Sequence, residues 1–355
     1  MNSQELARLC LRADRTLRDV MVCLNDSAKG IVLVVDDEQR LLCTMTDGDL
    51  RRAILHGLDQ EMTIAGWMAQ RCSPPKPRTA FVGADRAELL TLMEEGYRHI
   101  PLLDDTGRVA DVAMLNDLVA RSEPALHAVV MAGGLGTRLR PLTTELPKPM
   151  LQIGDKPLME HIVMRLRAAG IEQVRITTHY KADVITNHFG NGQRFGVKID
   201  YLNEDDPLGT AGALGLMSEW VSTLLVVNGD ILTTLNYQTM LEFHRENGAV
   251  MTVGVRQYEV EVPYGVVQTE GVQITKLSEK PTMRFFVNAG VYLLEPKVSR
   301  HMPARQRCDM TDLIAKLLAD DERVVSFPIN EYWLDIGHRD NYELARAAFA
   351  REEFH

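Results

Sequence analysis

The run Ala128-Val129-Val130-Met131-Ala132-Gly133-Gly134-Leu135-Gly136-Thr137-Arg138-Leu139-Arg140-Pro141-Leu142-Thr143 decides the architecture of most of this chain. Its first four residues are apolar and read as a buried strand. They pass directly into a turn with three glycines, where backbone can approach a ligand closely and its amides can face phosphate oxygens. Two known phosphate loops do not fit. No Gly-Lys-Ser/Thr follows four residues after a glycine, so this is not a Walker loop. Gly134-x-Gly136 is completed by Leu139 where the dinucleotide fingerprint wants glycine or alanine. Downstream, Leu146-Pro147-Lys148-Pro149-Met150-Leu151 sets a lysine between two prolines that stiffen its backbone. A helical pattern from Lys156 to Ala169 ends at Gly170, and Gln173 to Thr177 reads as the next strand. Strand, helix and strand make a βαβ unit, which predicts a doubly wound α/β sheet with a mostly parallel core.

Upstream of this strand the pattern is different. A proline-containing polar step, Ser122-Glu123-Pro124, marks a boundary at about residues 121–126 and divides the chain into 1–122 and 127–355. Before it, one pattern occurs twice: an apolar run, an acidic turn, a second apolar run, then Asp-Leu. The first copy is Gly30-Ile31-Val32-Leu33-Val34-Val35-Asp36-Asp37 with Leu41 to Arg52; the second is His99-Ile100-Pro101-Leu102-Leu103-Asp104-Asp105 with Arg108 to Leu118. The offset between the two Asp-Leu pairs, Asp49-Leu50 and Asp117-Leu118, indicates an internal duplication. Each copy predicts two short buried strands and a helix opened by Asp49 or Asp117, with a helical pattern such as Ala87 to Glu94 ahead of the strands.

Composition bounds the function. Of 355 residues, 45% are hydrophobic and 25% charged, which excludes a disordered chain or a coiled coil. With 39 Lys plus Arg against 49 Asp plus Glu the net charge is -10, so no dominant basic surface is available for long nucleic acid. No uncharged apolar stretch approaches the roughly 20 residues of a membrane span, and the amino terminus has no apolar signal core. Five scattered cysteines, Cys10, Cys23, Cys43, Cys72 and Cys308, favour reduced thiols. A cytoplasmic location without nucleic-acid or membrane partners is expected.

The combination Gly-Gly-x-Gly-Thr-Arg-Leu-x-Pro-Leu-Thr followed by Pro-Lys-Pro resembles the sugar-1-phosphate nucleotidyltransferases. Six further blocks follow in that family's order: Pro207 to Ala213, Val226 to Asp230, Tyr264 to Val267, Glu279 to Pro281, Val287 to Tyr292 and Trp333 to Gly337. The resemblance implies a Rossmann-like domain that joins a nucleoside triphosphate to a sugar 1-phosphate and releases pyrophosphate. Both reactants are anions, so the step needs fixed cations, backbone amides and a metal rather than a protein nucleophile. By resemblance, Arg138 serves the β- and γ-phosphates, and Lys148 the α-phosphate and the attacking sugar phosphate. Asp230 and Asp335 hold Mg2+, with Asp230 also counted among the catalytic groups. The nucleotide is held by Ala132, Gly133, Gly134, Gly136, Thr137, Gly209 and Thr210, and the sugar phosphate by Gly265, Glu279, Lys280 and Asn288. A small antiparallel insertion, Val266 to Phe286, would wall the sugar pocket. His179, His188, His244 and His338 lack ligand-like spacing and are expected to be structural.

Residues 10–121 resemble a tandem pair of CBS domains, α+β regulatory modules that often bind adenine nucleotides. In that family a hydroxyl and an Asp three residues later hold a ribose, and Thr46 with Asp49 match the spacing. The second copy retains Asp117 but carries Met114, which cannot make the hydroxyl's hydrogen bond. Asp49 and Asp117 would equally suit helix N-caps, and the pair would then serve chiefly for assembly into a homo-oligomer. The domain order resembles glucosamine-1-phosphate guanylyltransferases of bacterial legionaminic-type acid pathways, implying GTP and an amino-hexose 1-phosphate. A uridylyltransferase or a mannose-1-phosphate guanylyltransferase would keep the same residues, and a non-catalytic nucleotide sensor is the rival of another class.

Overall fold

An offset of 68 positions relates two similar halves in the amino-terminal part of the structure. The computed structural model describes residues 3–70, 77–94, 96–118, 126–217, 220–303 and 305–351. Cys72 and the Ser122-Glu123-Pro124 step lie outside them. Two compact units are present, Met1–Glu123 and Pro124–His355. The first half of the first unit contains α1 (Ser3–Leu9), β1 (Cys10–Arg12), α2 (Leu17–Ser27), β2 (Ile31–Val35), β3 (Leu41–Thr46), α3 (Asp47–Leu55) and α4 (Ile64–Gln70). The second contains β4 (Ala80–Phe81), α5 (Arg86–Glu94), β5 (His99–Leu103), β6 (Val109–Met114) and α6 (Leu115–Leu118).

The likeness of the halves extends to single hydrogen bonds. In each, a short strand runs parallel to the next, which pairs antiparallel with the third. Ile31 faces Thr46 as His99 faces Met114, and the register slips between Val34 and Val35 as it does between Leu102 and Leu103. Asp36 Oδ1 accepts the amides of Glu38 and Arg40; Asp104 Oδ1 accepts those of Thr106 and Arg108. The two turns then pair with each other. Leu41 N–H donates to Gly107 O, Val109 N–H donates to Gln39 O, and Arg40 bridges Arg108. Such reciprocity is the mark of a two-fold relation. Leu9, Ile31 and Leu33 of the first half pack with Val112 and Met114 of the second. Met114 is therefore a core side chain where the first half has Thr46.

The expectation that Asp49 opens the helix is corrected. Thr46 is the N-cap of α3, its hydroxyl accepting the Asp49 amide, while the Asp49 carboxylate accepts the Thr46 amide. This is a capping box, with the acid at the third helical position. Asp117 is likewise the third residue of α6.

The second unit contains β7 (His127–Met131), a minimal hairpin β8 (Gln152–Ile153) and β9 (Lys156–Pro157), then α7 (Leu158–Ala168), β10 (Gln173–Thr178), α8 (Ala182–Phe189), β11 (Lys198–Asn203), α9 (Gly209–Gly212), β12 (Leu224–Asn228), β13 (Ile231–Thr233) and α10 (Tyr237–Glu246). There follow β14 (Met251–Glu261), β15 (Val266–Glu270), β16 (Gln273–Ser278), β17 (Thr282–Leu294), α11 (Met310–Ala319), β18 (Val324–Pro328), β19 (Trp333–Asp335) and α12 (Arg339–Ala350). Seven strands form one sheet in the order β11-β10-β7-β12-β17-β14-β18. All share a direction except β17, which is antiparallel to both neighbours. Alternate side chains enter two cores. Ala128 and Val130 pack beneath α7, α8 and α10; Val129 packs with α9 and α11 on the opposite face.

Two boundaries differ from expectation. Lys156 pairs with Ile153 in the hairpin and Pro157 is extended, so α7 starts at Leu158. Of the expected 266–286 insertion, β15 and β16 alone pair as a separate antiparallel hairpin. Residues 282–286 instead begin the 13-residue β17, which pairs with β14 beyond the core as a two-stranded arm. Among the described residues no helix is long and apolar enough to cross a membrane.

Candidate active site

The chain leaves β7 toward β10 and β11 on one side, and returns to β12 on the other. At such a switch point the loops at the carboxyl ends of neighbouring strands diverge and leave a crevice. Here it is a cavity of about 470 Å³, within the usual range for small-molecule sites. Gly133, Gly134, Gly136, Thr137 and Arg138 line it from the loop after β7, Gly209 and Thr210 from α9, and Lys148 and Asp230 from the side of β12.

Gly136 is in the left-handed region, φ 61°, and a Cβ there would stand 3.0 Å from Thr143 Cγ2 and 3.2 Å from Lys148 Cβ. The loop closes at this point through Thr143 Oγ1, which donates to Gly136 O at 2.7 Å. Ala132 also lines the cavity, but its amide donates to Thr177 Oγ1 at 3.0 Å and is not available to a phosphate.

Lys148 is 9% exposed, and its Nζ donates to Asp230 Oδ2 while lying 4.0 Å from Asp335 Oδ1. A small sheet brings the two acids together across 105 residues. Strand β13 pairs antiparallel with β19 so that Ile231 faces Asp335, and Ile336 N–H donates to Asp230 O at 3.0 Å. Leu232 and Ile336 anchor this junction in a cluster with Leu139, Leu151 and Tyr342. Burial pushes the Asp335 carboxyl above its ordinary range and the Asp230 charge pushes it further; Lys148, Arg138 and His338 oppose them. Asp335 Oδ1 is buried without a hydrogen-bond partner among the described residues, as is Asn228 Oδ1 on the cavity wall. Two facing carboxylates, one with an orphaned oxygen, are a hard-oxygen donor set that suits Mg2+ completed by phosphate oxygens and water. No cluster of three or more His, Cys, Asp or Glu at metal-holding geometry occurs among the described residues.

Thr210 is drawn into scaffolding as well as the cavity wall. Its amide donates to Asp309 Oδ1 at 3.0 Å and its hydroxyl accepts the Met310 amide at 2.8 Å, tying α9 to the start of α11. The four residues assigned to the sugar phosphate are not among the lining residues. Gly265, Glu279 and Lys280 sit in exposed turns flanking the β15–β16 hairpin, with Glu279 Oε2 3.0 Å from where a Gly265 Cβ would stand. Asn288, on β17, accepts the Gly290 amide. The histidines make structural bonds: His179 to Glu204 O, His188 to Glu160, and His244 to Thr252 and Glu295. His338 also reaches the field of Asp335.

Glu204 was not expected in the site. It is 8% exposed, follows β11 and lines the cavity, and burial raises its carboxyl above the ordinary range. Its sequence signal was weak, one acid among Asn203-Glu204-Asp205-Asp206. Gly133 accommodates it, since a Cβ there would come within 2.5 Å of Glu204 Oε1.

Residues 127–352 match the nucleotidyl transferase family. The chain belongs to that family. Among its curated relatives, a mannose-1-phosphate guanylyltransferase of Mycobacterium tuberculosis is 34% identical over 235 residues, covering 64% of this chain and 65% of that protein. A UTP–glucose-1-phosphate uridylyltransferase of Synechocystis is 34% identical over 249 residues, covering 64% of each. The chain thus spans just under two thirds of the length of these relatives. Among solved structures, HddC from Yersinia pseudotuberculosis complexed with GMP-PN is similar at a TM-score of 0.50 and 25% identity, over 63% of this chain and 99% of that one. The nucleotidyl transferase match covers the second unit and leaves the duplicated first unit outside it.

Proposed function

We propose that residues 127–355 transfer a nucleoside monophosphate from a nucleoside triphosphate to a sugar 1-phosphate, releasing pyrophosphate. The observation that carries this reading is that Lys148 and its partner Asp230 line one cavity with the glycine-rich loop, while Asp335 stands 4.0 Å from Lys148 just outside the lining. Loop amides from Gly133 to Thr137 and the Arg138 guanidinium receive the triphosphate. Lys148, fixed between two prolines, meets the α-phosphate and the incoming sugar phosphate, whose mutual repulsion is the main barrier. Asp230 and Asp335 would hold Mg2+, which neutralises phosphate charge and aligns the oxygens when bound. The sugar phosphate oxygen attacks the α-phosphorus, the bond to the bridging oxygen breaks, and pyrophosphate carries away the electron pair. Glu279 and Lys280 receive sugar hydroxyls and sugar phosphate, which requires the arm to approach the cavity when the sugar binds.

GTP and glucosamine 1-phosphate are the favoured pair, for a nonulosonic acid precursor. The guanylyltransferase relative and the GMP-PN complex support the base, and the tandem order of the units supports the sugar. A uridylyltransferase is the alternative that the Synechocystis relative supports. The first unit we read as a tandem CBS pair with a regulatory site at Thr46, Asp49 and Asp117, and its 68-residue duplication supports that reading. Calorimetric titration of the whole chain with AMP tests it, and no heat at millimolar AMP rejects it. The transfer itself is tested by pyrophosphate release with magnesium, crossing four nucleoside triphosphates with glucosamine-, N-acetylglucosamine-, glucose- and mannose-1-phosphate. Turnover for one pair is expected, and silence across the matrix rejects the reaction.

A further inference from the structure

We propose that Tyr180 is a positioning residue for triphosphate binding: its hydroxyl, acting through Thr143, holds the phosphate loop in the shape that receives the β- and γ-phosphates. This rests on the reading of that loop as the receiver of a nucleoside triphosphate, and adds what holds it there.

Side-chain packing runs out soon after the loop leaves the cavity. Thr143 is buried, its hydroxyl donates to Gly136 O at 2.7 Å, and its Cγ2 stands 3.0 Å from where a Gly136 Cβ would be. The next three residues, Thr144, Glu145 and Leu146, are exposed, so no buried side chain fixes the stretch between Thr143 and Pro147. Hydrogen bonds from a neighbouring segment do so instead. Just after β10, Tyr180 Oη donates to Thr143 O and Thr144 O at 3.2 Å each, a three-centre arrangement, and Lys181 Nζ donates to Glu145 O at 3.1 Å. Two consecutive side chains thus take three consecutive carbonyls.

The segment that supplies these donors is anchored on its other side. His179 Nδ1 bonds to Glu204 O at 2.9 Å, and His179 Cβ stands 3.5 Å from where a Gly133 Cβ would be. Lys181 is left-handed, φ 51°, a conformation that a long side chain adopts only where its surroundings demand it. Glycine would sit there without strain but would bring no ammonium to the Glu145 carbonyl. Thr143, Thr144, Glu145, Tyr180 and Lys181 are not among the lining residues of the cavity. Their influence on a ligand therefore passes through Gly136, whose carbonyl Thr143 holds. The loop amides and Arg138 beside it meet phosphates that a nucleoside monophosphate lacks. Loosening the strap should then weaken a triphosphate and spare a monophosphate of the same base.

The test is calorimetric binding of GTP and GMP, and of UTP and UMP, to the whole chain with magnesium, for the wild type, Tyr180→Phe, Thr143→Val and the double variant. The wild type should bind one triphosphate at least about tenfold more tightly than its monophosphate, the weight of one or two charge-assisted hydrogen bonds. In Tyr180→Phe that ratio should fall about fivefold, the weight of one neutral hydrogen bond, with the monophosphate affinity within about twofold of the wild type. Thr143→Val removes the hydroxyl that holds Gly136 and should lower the ratio by a similar factor. Both changes break one chain of bonds, so the double variant should lose no more than about either alone. Each ratio compares two ligands on the same folded protein, so a lower melting temperature in a variant does not blur it. An unchanged ratio in Tyr180→Phe overturns the proposal, as does a loss shared equally by triphosphate and monophosphate, which a merely structural tyrosine would give. Losses that multiply in the double variant overturn it too. A wild type that prefers neither triphosphate overturns the triphosphate reading along with it, whereas a wild-type preference that survives Tyr180→Phe overturns this proposal alone.

Discussion

The two ends of the candidate site are built on opposite kinds of support. Asp230 and Asp335 stand on the β13–β19 junction, flanked by Leu232 and Ile336, which are 1% and 0% exposed. Lys148 is held against them, and Leu139 of the phosphate loop packs in the same cluster. The arm formed by β14 and β17 is instead exposed on both faces. Tyr258 and Val260 pair with Phe285 and Met283 on one face, Glu259 pairs with Arg284 on the other, and all four apolar residues are at least 40% exposed. A two-stranded ribbon of this kind is marginally stable without packing. The buried end can keep charged groups at fixed separations, as a transfer step between two anions requires. The arm lacks such packing, which suits the proposed approach of Glu279 and Lys280 to the cavity.

If the buried end carries the chemistry, its substitutions cost the most. Asp230→Ala should lower turnover at least about 10³-fold, measured as pyrophosphate release with the best substrate pair, since it removes a proposed metal ligand and frees Lys148 from its partner. A loss below about tenfold would dissolve the contrast between the two ends. Lys148→Met should follow at about 10²-fold, mostly in kcat. It also leaves two acids facing each other without a cation, so the melting temperature without magnesium should fall as well.

The buried end was also the more legible in sequence. Gly136, Arg138, Lys148 and Asp230 lie in contiguous blocks, where strand, turn and proline spacing fix the local geometry, and the structure puts them round one cavity. Long-range pairing was legible only through resemblance: nothing in the residues near Asp335 says that β19 pairs with β13. Glu204 escaped notice because its place on the cavity wall follows from its packing against Thr177, Leu208 and Gly133, which spacing does not encode. The duplication was visible as a repeated pattern, whereas its paired turns, Arg40 with Arg108, emerge only when both copies fold together. The helix start at Thr46 was misassigned because a capping box places the acid three residues inside the helix rather than at its mouth.

A change on the arm should act on one substrate alone. Lys280→Ala is expected to raise KM for the sugar phosphate about tenfold, with kcat within about twofold and KM for the nucleotide unchanged. Equal rises for both substrates would mean that the arm shapes the whole cavity, and no rise would remove Lys280 from the sugar site.

The smallest expected effect is one of stability rather than turnover, at Asp335, and its sign separates a site built for a metal from a structural acid. Burial and the Asp230 charge hold its folded pKa above the ordinary value of the unfolded chain. Below that value the carboxyl is protonated folded and unfolded, and its contribution is fully present. As pH rises through the raised folded value, the folded state must give up a proton it holds more tightly, and stability is lost. Asn is neutral throughout, so Asp335→Asn should melt higher than the wild type at about pH 8 without magnesium, and the gap should close in acid. With its side chain 44% exposed the penalty is screened, and a rise of roughly 2–4 °C is expected, what about 1 kcal/mol produces in a unit of this size. Saturating magnesium should reverse the order, because the metal stabilises only the chain that binds it well. Melting curves across pH, with and without the metal, decide the matter. If Asp335→Asn melts lower than the wild type at about pH 8 without magnesium, the acid supports the fold, and the orphaned oxygen is no sign of a metal.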